Sequence, residues 1–280
     1  MRRLFHFILS HSIFIAICAV ALSFQTGQLI EIAVGGFLLG FIFFAVLVGY
    51  NGYWLLSRYS FSGTHTIHSL YEADRYSFIL LVLAFGGMLF CFTQLEWVLS
   101  NLVLSGILFG LYLLPILPFK ELKWVRKVFF FKTILLAFTW TIVTTLIPLQ
   151  VAIWSMGSLA GLIFIGRFLF MLLLCIIFDN RDVAVDKIRG LQSLATAFNP
   201  IVLHFLIAFI FMGYCSINYF IKGYGVKTDQ VIALDLIGLV SLIMYVVSLQ
   251  KRGYFFYYFG VDGLMFFSAL LTWLAGKLAF

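Results

Sequence analysis

Along the chain, polar positions come in short clusters separated by long, nearly unbroken apolar runs. Nine such runs, 5–23, 29–50, 77–95, 97–117, 128–147, 151–178, 194–220, 230–249 and 254–277, come near the length that a helix needs to cross a membrane, about 20 apolar residues for about 30 Å of hydrocarbon. Strands of a membrane barrel would instead alternate polar and apolar residues over short segments, and lipid does not tolerate unpaired backbone groups. The runs are therefore predicted to be helices, and the fold an all-α polytopic membrane bundle of about nine transmembrane helices. No Pro/Ser linker, charged tail or low-complexity tract divides residues 1–280, which read as a single domain. The first run follows Arg2 and Arg3, and Ala19 and Ala21 imitate a signal-peptide cleavage site, but its length and the spans that follow predict an uncleaved first helix.

Composition strengthens this picture. Hydrophobic residues make up 64% of the sequence and charged residues 10%, which excludes a water-soluble domain of this size. Cys18, Cys91, Cys175 and Cys215 all lie inside apolar runs without a Cys-x-x-Cys pair, and read as small buried hydrophobes. The net charge of +7 matters through its distribution and does not call for nucleic acid. With the N-terminus cytoplasmic, thirteen of the 18 basic residues fall in inside segments and only Lys222, Lys227 and Lys277 fall outside, leaving Lys132 and Arg167 within spans. The excess of basic residues inside predicts that orientation, an odd number of spans and an outward C-terminus, in a plasma membrane of the bacterial inner-membrane type. Gly36/Gly40, Gly106/Gly110 and Gly157/Gly161 place small residues one turn apart in three spans, where helices can approach closely.

One stretch breaks the hydrocarbon with acids: "FDNRDVAVDKIRG", residues 178–190. If the sixth span continues as a helix past Phe178, Asp179, Asp182 and Asp186 stand at i, i+3 and i+7 on one face. Like charges at that spacing repel, and the negative end of the helix dipole adds to the repulsion. Arg181, Lys187 and Arg189 are local counter-ions, in which case the segment is a solvated helix end. A divalent cation would also answer the charge, and Mg2+ suits it because it takes one or two carboxylates together with phosphate oxygens and water.

The longer string "FDNRDVAVDKIRGLQSLA" resembles the second aspartate-rich motif of the UbiA-type intramembrane prenyltransferases. Asp179, Asp182, Asp186, Lys187, Gly190 and Ser193-Leu194 match it, at the end of the sixth of nine expected spans, and the basic segment "PFKELKWVRK" resembles the family's entry to span five. The resemblance implies a polyprenyl diphosphate bound through Mg2+, loss of diphosphate toward an allylic cation, and transfer of the prenyl group to a lipid-soluble, usually aromatic acceptor. On that reading Asp179, Asp182 and Asp186 hold the metal, and Asn51, Arg58, Lys120, Lys123, Arg126 and Lys132 contact the diphosphate.

The first motif of the family departs from its pattern here. Asn51 remains, but Gly52, Leu55 and Tyr59 stand where aspartates are expected. The alternative is therefore a relative that binds lipid or a partner without catalysis, and a third reading is a small transporter or scaffold whose acids only end a helix. His65, His68 and Glu72 share one helical face, but without a recognised zinc spacing they read as an interfacial loop. Arg167 is expected to pair with Asp235 or Glu31, because an intramembrane cation is costly alone.

Overall fold

A computed structural model describes residues 2–61, 74–95, 106–107, 131–149, 152–189 and 193–278. The chain runs through α1 (Arg2–Ser10), α2 (Ile13–Leu29), α3 (Gly36–Phe61) and α4 (Arg75–Thr93). It continues as α5 (Phe131–Thr141, through a π turn at Ile142–Leu146 into Ile147–Leu149), α6 (Ala152–Arg189) and the short α7 (Leu194–Ala197). The last elements are α8 (Pro200–Lys222), α9 (Thr228–Ser248) and α10 (a π turn at Phe256–Val261 leading into Asp262–Leu278). Among the described residues, six helices are long and apolar enough to cross a membrane, or seven if α1 and α2 count as one span bent by 66°. The α5 segment Thr133–Leu149 is a shorter apolar helix, and the span expected at 97–117 lies mostly outside the described residues.

Helix α6 is the axis of the bundle. In its most apolar stretch 61% of residues are buried, against 17% in α4, and α5, α7, α8 and α9 all pack on it. Its run from Phe170 to Ile177 is buried on every side, as expected of a helix that is apolar all round. The lipid-facing surface lies on helices such as α4 and α8, where Leu83, Phe90, Phe205 and Phe209 are exposed. Helix α2 lies between α3 and α10, and α3 carries α4 at the edge of the bundle.

The breaks follow from local chemistry. The α1/α2 bend turns at Ser12, which takes a left-handed φ of 63°. Helix α8 begins with Asn199 accepting a hydrogen bond from the Val202 N–H, followed by Pro200 in the first turn, where its missing donor costs nothing. In α5, Thr139, Thr141, Thr144 and Thr145 donate their hydroxyls to carbonyls four residues back. Such back-bonding competes with the helical ladder and bends helices, and here it surrounds the π turn. The Thr144 carbonyl is met by the Thr26 hydroxyl of α2 at 2.7 Å.

The small-residue pairs meet the expectation at Gly40 but not at Gly36, Gly157 or Gly161. A Cβ on Gly161 or Gly36 would meet nothing within 4 Å, so neither marks a close helix approach. Gly157 instead supplies a positive φ of 40° at a kink in α6, a conformation that costs a side-chain-bearing residue. Close approach occurs at Gly40, against the Cys91 sulfur, and at Gly238, against the Tyr214 ring. All four cysteines are free, three of them buried, as their apolar settings predicted.

Candidate functional site: the acidic face of α6

Helix α6 does not stop where its apolar run stops; it continues unbroken to Arg189 and carries all three aspartates. The sixth span thus continues as a helix past Phe178, and its polar residues find partners on neighbouring helices. The Asp179 carboxylate, 5% exposed, accepts a 2.6 Å hydrogen bond from the Thr133 hydroxyl of α5. Asp186, about two turns further on, is 2% exposed. Asn180 donates to the Ser248 hydroxyl at the end of α9. The acidic face is thus turned into the bundle and fixed to α5 and α9.

Asp182 differs from its two neighbours. It is half-buried, and its two oxygens accept from the Arg181 Nε and Nη2 at 2.7 and 3.0 Å, a bidentate pair. The guanidinium carbon of Arg181 stands 5.0 Å from the Phe178 ring centre, 5.5 Å from that of Tyr257 and 5.1 Å from that of Tyr258. Aromatic faces attract a cation at such distances and hold it without neutralising it. Tyr258 in turn stacks on Tyr254 at 4.3 Å, and Tyr254 on His6 of α1. Burial pushes the Tyr254 phenol, just before the last span, up to about 12, so it remains a neutral hydrogen-bonding group near neutral pH. Thr133, Phe178, Tyr257 and Tyr258 were not among the site residues expected from sequence. Threonine and tyrosine at a helix end carry no spacing signal, and Tyr257 lies far along the chain from the acids.

The donor set bears on a metal. Among the described residues no three His, Cys, Asp or Glu side chains converge into a ready cage. Mg2+ does not need such a preformed cage, because one or two carboxylates suffice when phosphate and water complete its shell. Asp179 and Asp182, one turn apart on an inward face, offer such a pair once Arg181 yields an oxygen.

The other residues expected at the site are placed as follows. Asn51 is buried on α3, with its Nδ2 donating to the carbonyls of Leu47 and His11, which ties α3 to the α1/α2 bend. Gly52 faces α4, where a Cβ would meet Leu81, and Leu55 is buried, so neither first-motif position offers a carboxylate. Arg58 and Lys132 lie on the described backbones of α3 and α5. Lys120, Lys123 and Arg126, like His65, His68 and Glu72, lie outside the described residues. Arg167 pairs with neither expected acid: it donates to the Leu22 carbonyl and the Thr26 hydroxyl of α2, while Asp235 accepts from Asn218. The hydroxyl and the carbonyl were available from α2 because Thr26 sits one turn after Leu22, a placement that the positions of charges alone do not reveal.

Fold and site together define a multi-pass helical membrane protein with an inward-facing carboxylate site at one end of its central helix. The fold is that of the UbiA-type proteins. A UbiA homolog from Aeropyrum pernix K1 superposes with a TM-score of 0.62 at 11% identity, over 93% of this chain and 96% of that one. A digeranylgeranylglyceryl phosphate synthase gives a TM-score of 0.56 at 16% identity, over 99% of this chain and 100% of its own. No family model and no curated protein matches the sequence.

Proposed function

We propose that the protein is a UbiA-type membrane prenyltransferase, moving a polyprenyl group from its diphosphate to a lipid-soluble, aromatic acceptor with Mg2+. One observation carries the reading: in a UbiA-type fold, two aspartates of the motif are buried and the third is half-buried, instead of splaying toward lipid headgroups. Carboxylates gathered on one inward helix face can share a divalent cation whose remaining positions are filled by phosphate oxygens and water, which is what the reading requires of them. When bound, Mg2+ would neutralise charge on the leaving diphosphate. Asp179, oriented by Thr133, and Asp182 and Asp186 on the same face would hold the metal. Arg181, released from Asp182, would reach a diphosphate oxygen while its aromatic neighbours keep it in place. Asn51 and the basic residues Arg58, Lys120, Lys123, Arg126 and Lys132 would complete the diphosphate contacts. The phenyl and phenol rings of Phe178, Tyr257 and Tyr258 would flank the prenyl C1 as positive charge develops there. The acidic end would face the cytoplasm and the C-terminus the opposite side of a bacterial plasma membrane.

A second reading has its own support. Leu55 is buried at a position where the family's first motif has an acid, so this chain lacks ligands for a second metal there. A protein so altered would bind a prenyl diphosphate without ionising it. The two readings part in a single experiment: purified protein, Mg2+ and radiolabelled prenyl diphosphates of several lengths, with binding and diphosphate release measured separately. Binding with release supports the enzyme, binding without release supports the non-catalytic relative, and no binding at any length overturns the enzyme and leaves a relative that binds another lipid or a partner.

A further inference from the structure

A buried cation lies far from the aspartates and takes no part in that chemistry. Arg167 precedes Asp179 by 12 residues on α6, about 18 Å along the helix, near the middle of the span Gly157–Val183. It is 6% exposed. Its Nη2 donates to the Leu22 carbonyl and to the Thr26 hydroxyl, both at 3.2 Å. Neither partner carries charge, and among the described residues no carboxylate lies within ion-pair distance of the guanidinium and no acceptor meets its Nε or Nη1. Asp235, the acid on the neighbouring α9, is held by the Asn218 amide at 2.8 Å. A guanidinium does not lose its proton to escape this position.

The guanidinium borders a cavity of about 30 Å³ among α2, α6, α8, α9 and α10, lined in part by Gln25, Tyr214, Asn218 and Ser268. Gln25 is fully buried, and its Nε2 donates to the hydroxyls of Ser268 and Thr272. Among the described residues its Oε1 has no partner. The cavity therefore presents a cation lacking negative charge and an amide oxygen lacking a donor. A water needs about 10–15 Å³ of such space, so there is room for about two water-sized occupants. That is too small for a diphosphate, an aromatic acceptor or an isoprenyl chain, and the site is independent of the prenyltransferase reading.

We propose that this cavity binds a small monovalent anion of the chloride, bromide or nitrate class, held by Nε and Nη1 of Arg167, together with one water that donates to Gln25 Oε1. The anion supplies the missing counter-charge where five helices meet, and so acts as an internal fastener of the bundle.

The test uses the purified full-length protein in detergent, with chloride exchanged for gluconate at constant ionic strength. The expected result is a saturable rise in Tm, on the order of 5 °C at about a hundred times the Kd. Bromide and nitrate should reproduce it; sulfate and gluconate, too large for the cavity, should not. Arg167→Met should lose the response and Asp235→Asn should keep it. Crystals grown in bromide should show anomalous density beside Arg167, a readout that does not depend on any variant folding. The proposal is overturned by equal stability of the wild type in chloride and gluconate, by an identical chloride response in Arg167→Met, by loss of the response in Asp235→Asn, or by absence of bromide from the cavity.

Discussion

At the scale of single residues, the site depends on how three acids of one motif are treated differently. Asp179 is buried under Thr133, Asp182 is shared with Arg181, and Asp186 is buried further along the same face. Asp179→Asn keeps the shape and the hydrogen bond but removes the charge, and is expected to weaken Mg2+-dependent binding of a prenyl diphosphate at least about tenfold, with little change in Tm, by calorimetric titration. Thr133→Val leaves a buried carboxylate short of one donor and is expected to cost about 1.5–3 kcal/mol of stability at neutral pH, measured by thermal unfolding. Arg181→Met exposes both oxygens of Asp182 to the ion. It should tighten binding of Mg2+ alone a few-fold yet weaken retention of the diphosphate, and a parallel change in both would contradict the role given to Arg181. The acids themselves were legible in the sequence, because three carboxylates at i, i+3 and i+7 after an apolar run are rare enough to stand out. Their partners were not, since nothing in the spacing of Thr133 or Tyr258 ties them to Asp179 or Arg181.

At the scale of elements, helix identity follows from run length, and helix irregularity from residues whose effect depends on neighbours. Most of the described spans lie close to the apolar runs that predicted them, because a stretch that must satisfy every backbone group in lipid has no regular alternative within one segment. The bend at Ser12, the kink at Gly157 and the π turns in α5 and α10 left no signal in hydropathy, since a few residues of changed geometry do not alter a run's apolar character. The glycines now divide into testable groups. Gly238→Ala would drive a methyl into the Tyr214 ring, whose nearest carbon lies 2.8 Å from the added Cβ, and is expected to destabilise the α8–α9 contact by about 1–3 kcal/mol. Gly161→Ala meets open space and should be neutral or stabilising by about 0.5–1 kcal/mol. Thermal unfolding of the two variants in one detergent checks the pair, and equal destabilisation would restore the helix-contact reading of the Gly157/Gly161 pattern.

At the scale of the whole molecule, pairings across the bundle show how its ends are organised. Thr133 with Asp179, Asn180 with Ser248, and Arg181 with Tyr258 gather ends of α5, α9 and α10 around the acidic end of α6, while Gln25 with Ser268 and Thr272 joins α2 and α10 beside Arg167. If the acidic end faces the cytoplasm, single cysteines placed at Arg3 and Lys251 should be labelled from inside and those at Lys222 and Lys277 from outside by an impermeant maleimide; reversed labelling would reject the orientation drawn from the basic residues. The central claim, that an inward acidic face exists to hold a metal-bound prenyl diphosphate, is tested most directly by calorimetric titration of polyprenyl diphosphates into the wild type and into an Asp179→Asn/Asp186→Asn double variant, each with Mg2+ and with chelator. Saturable binding that needs both the ion and the two acids is the predicted result. Heat changes indistinguishable between wild type and double variant, or unaffected by chelator, would contradict it.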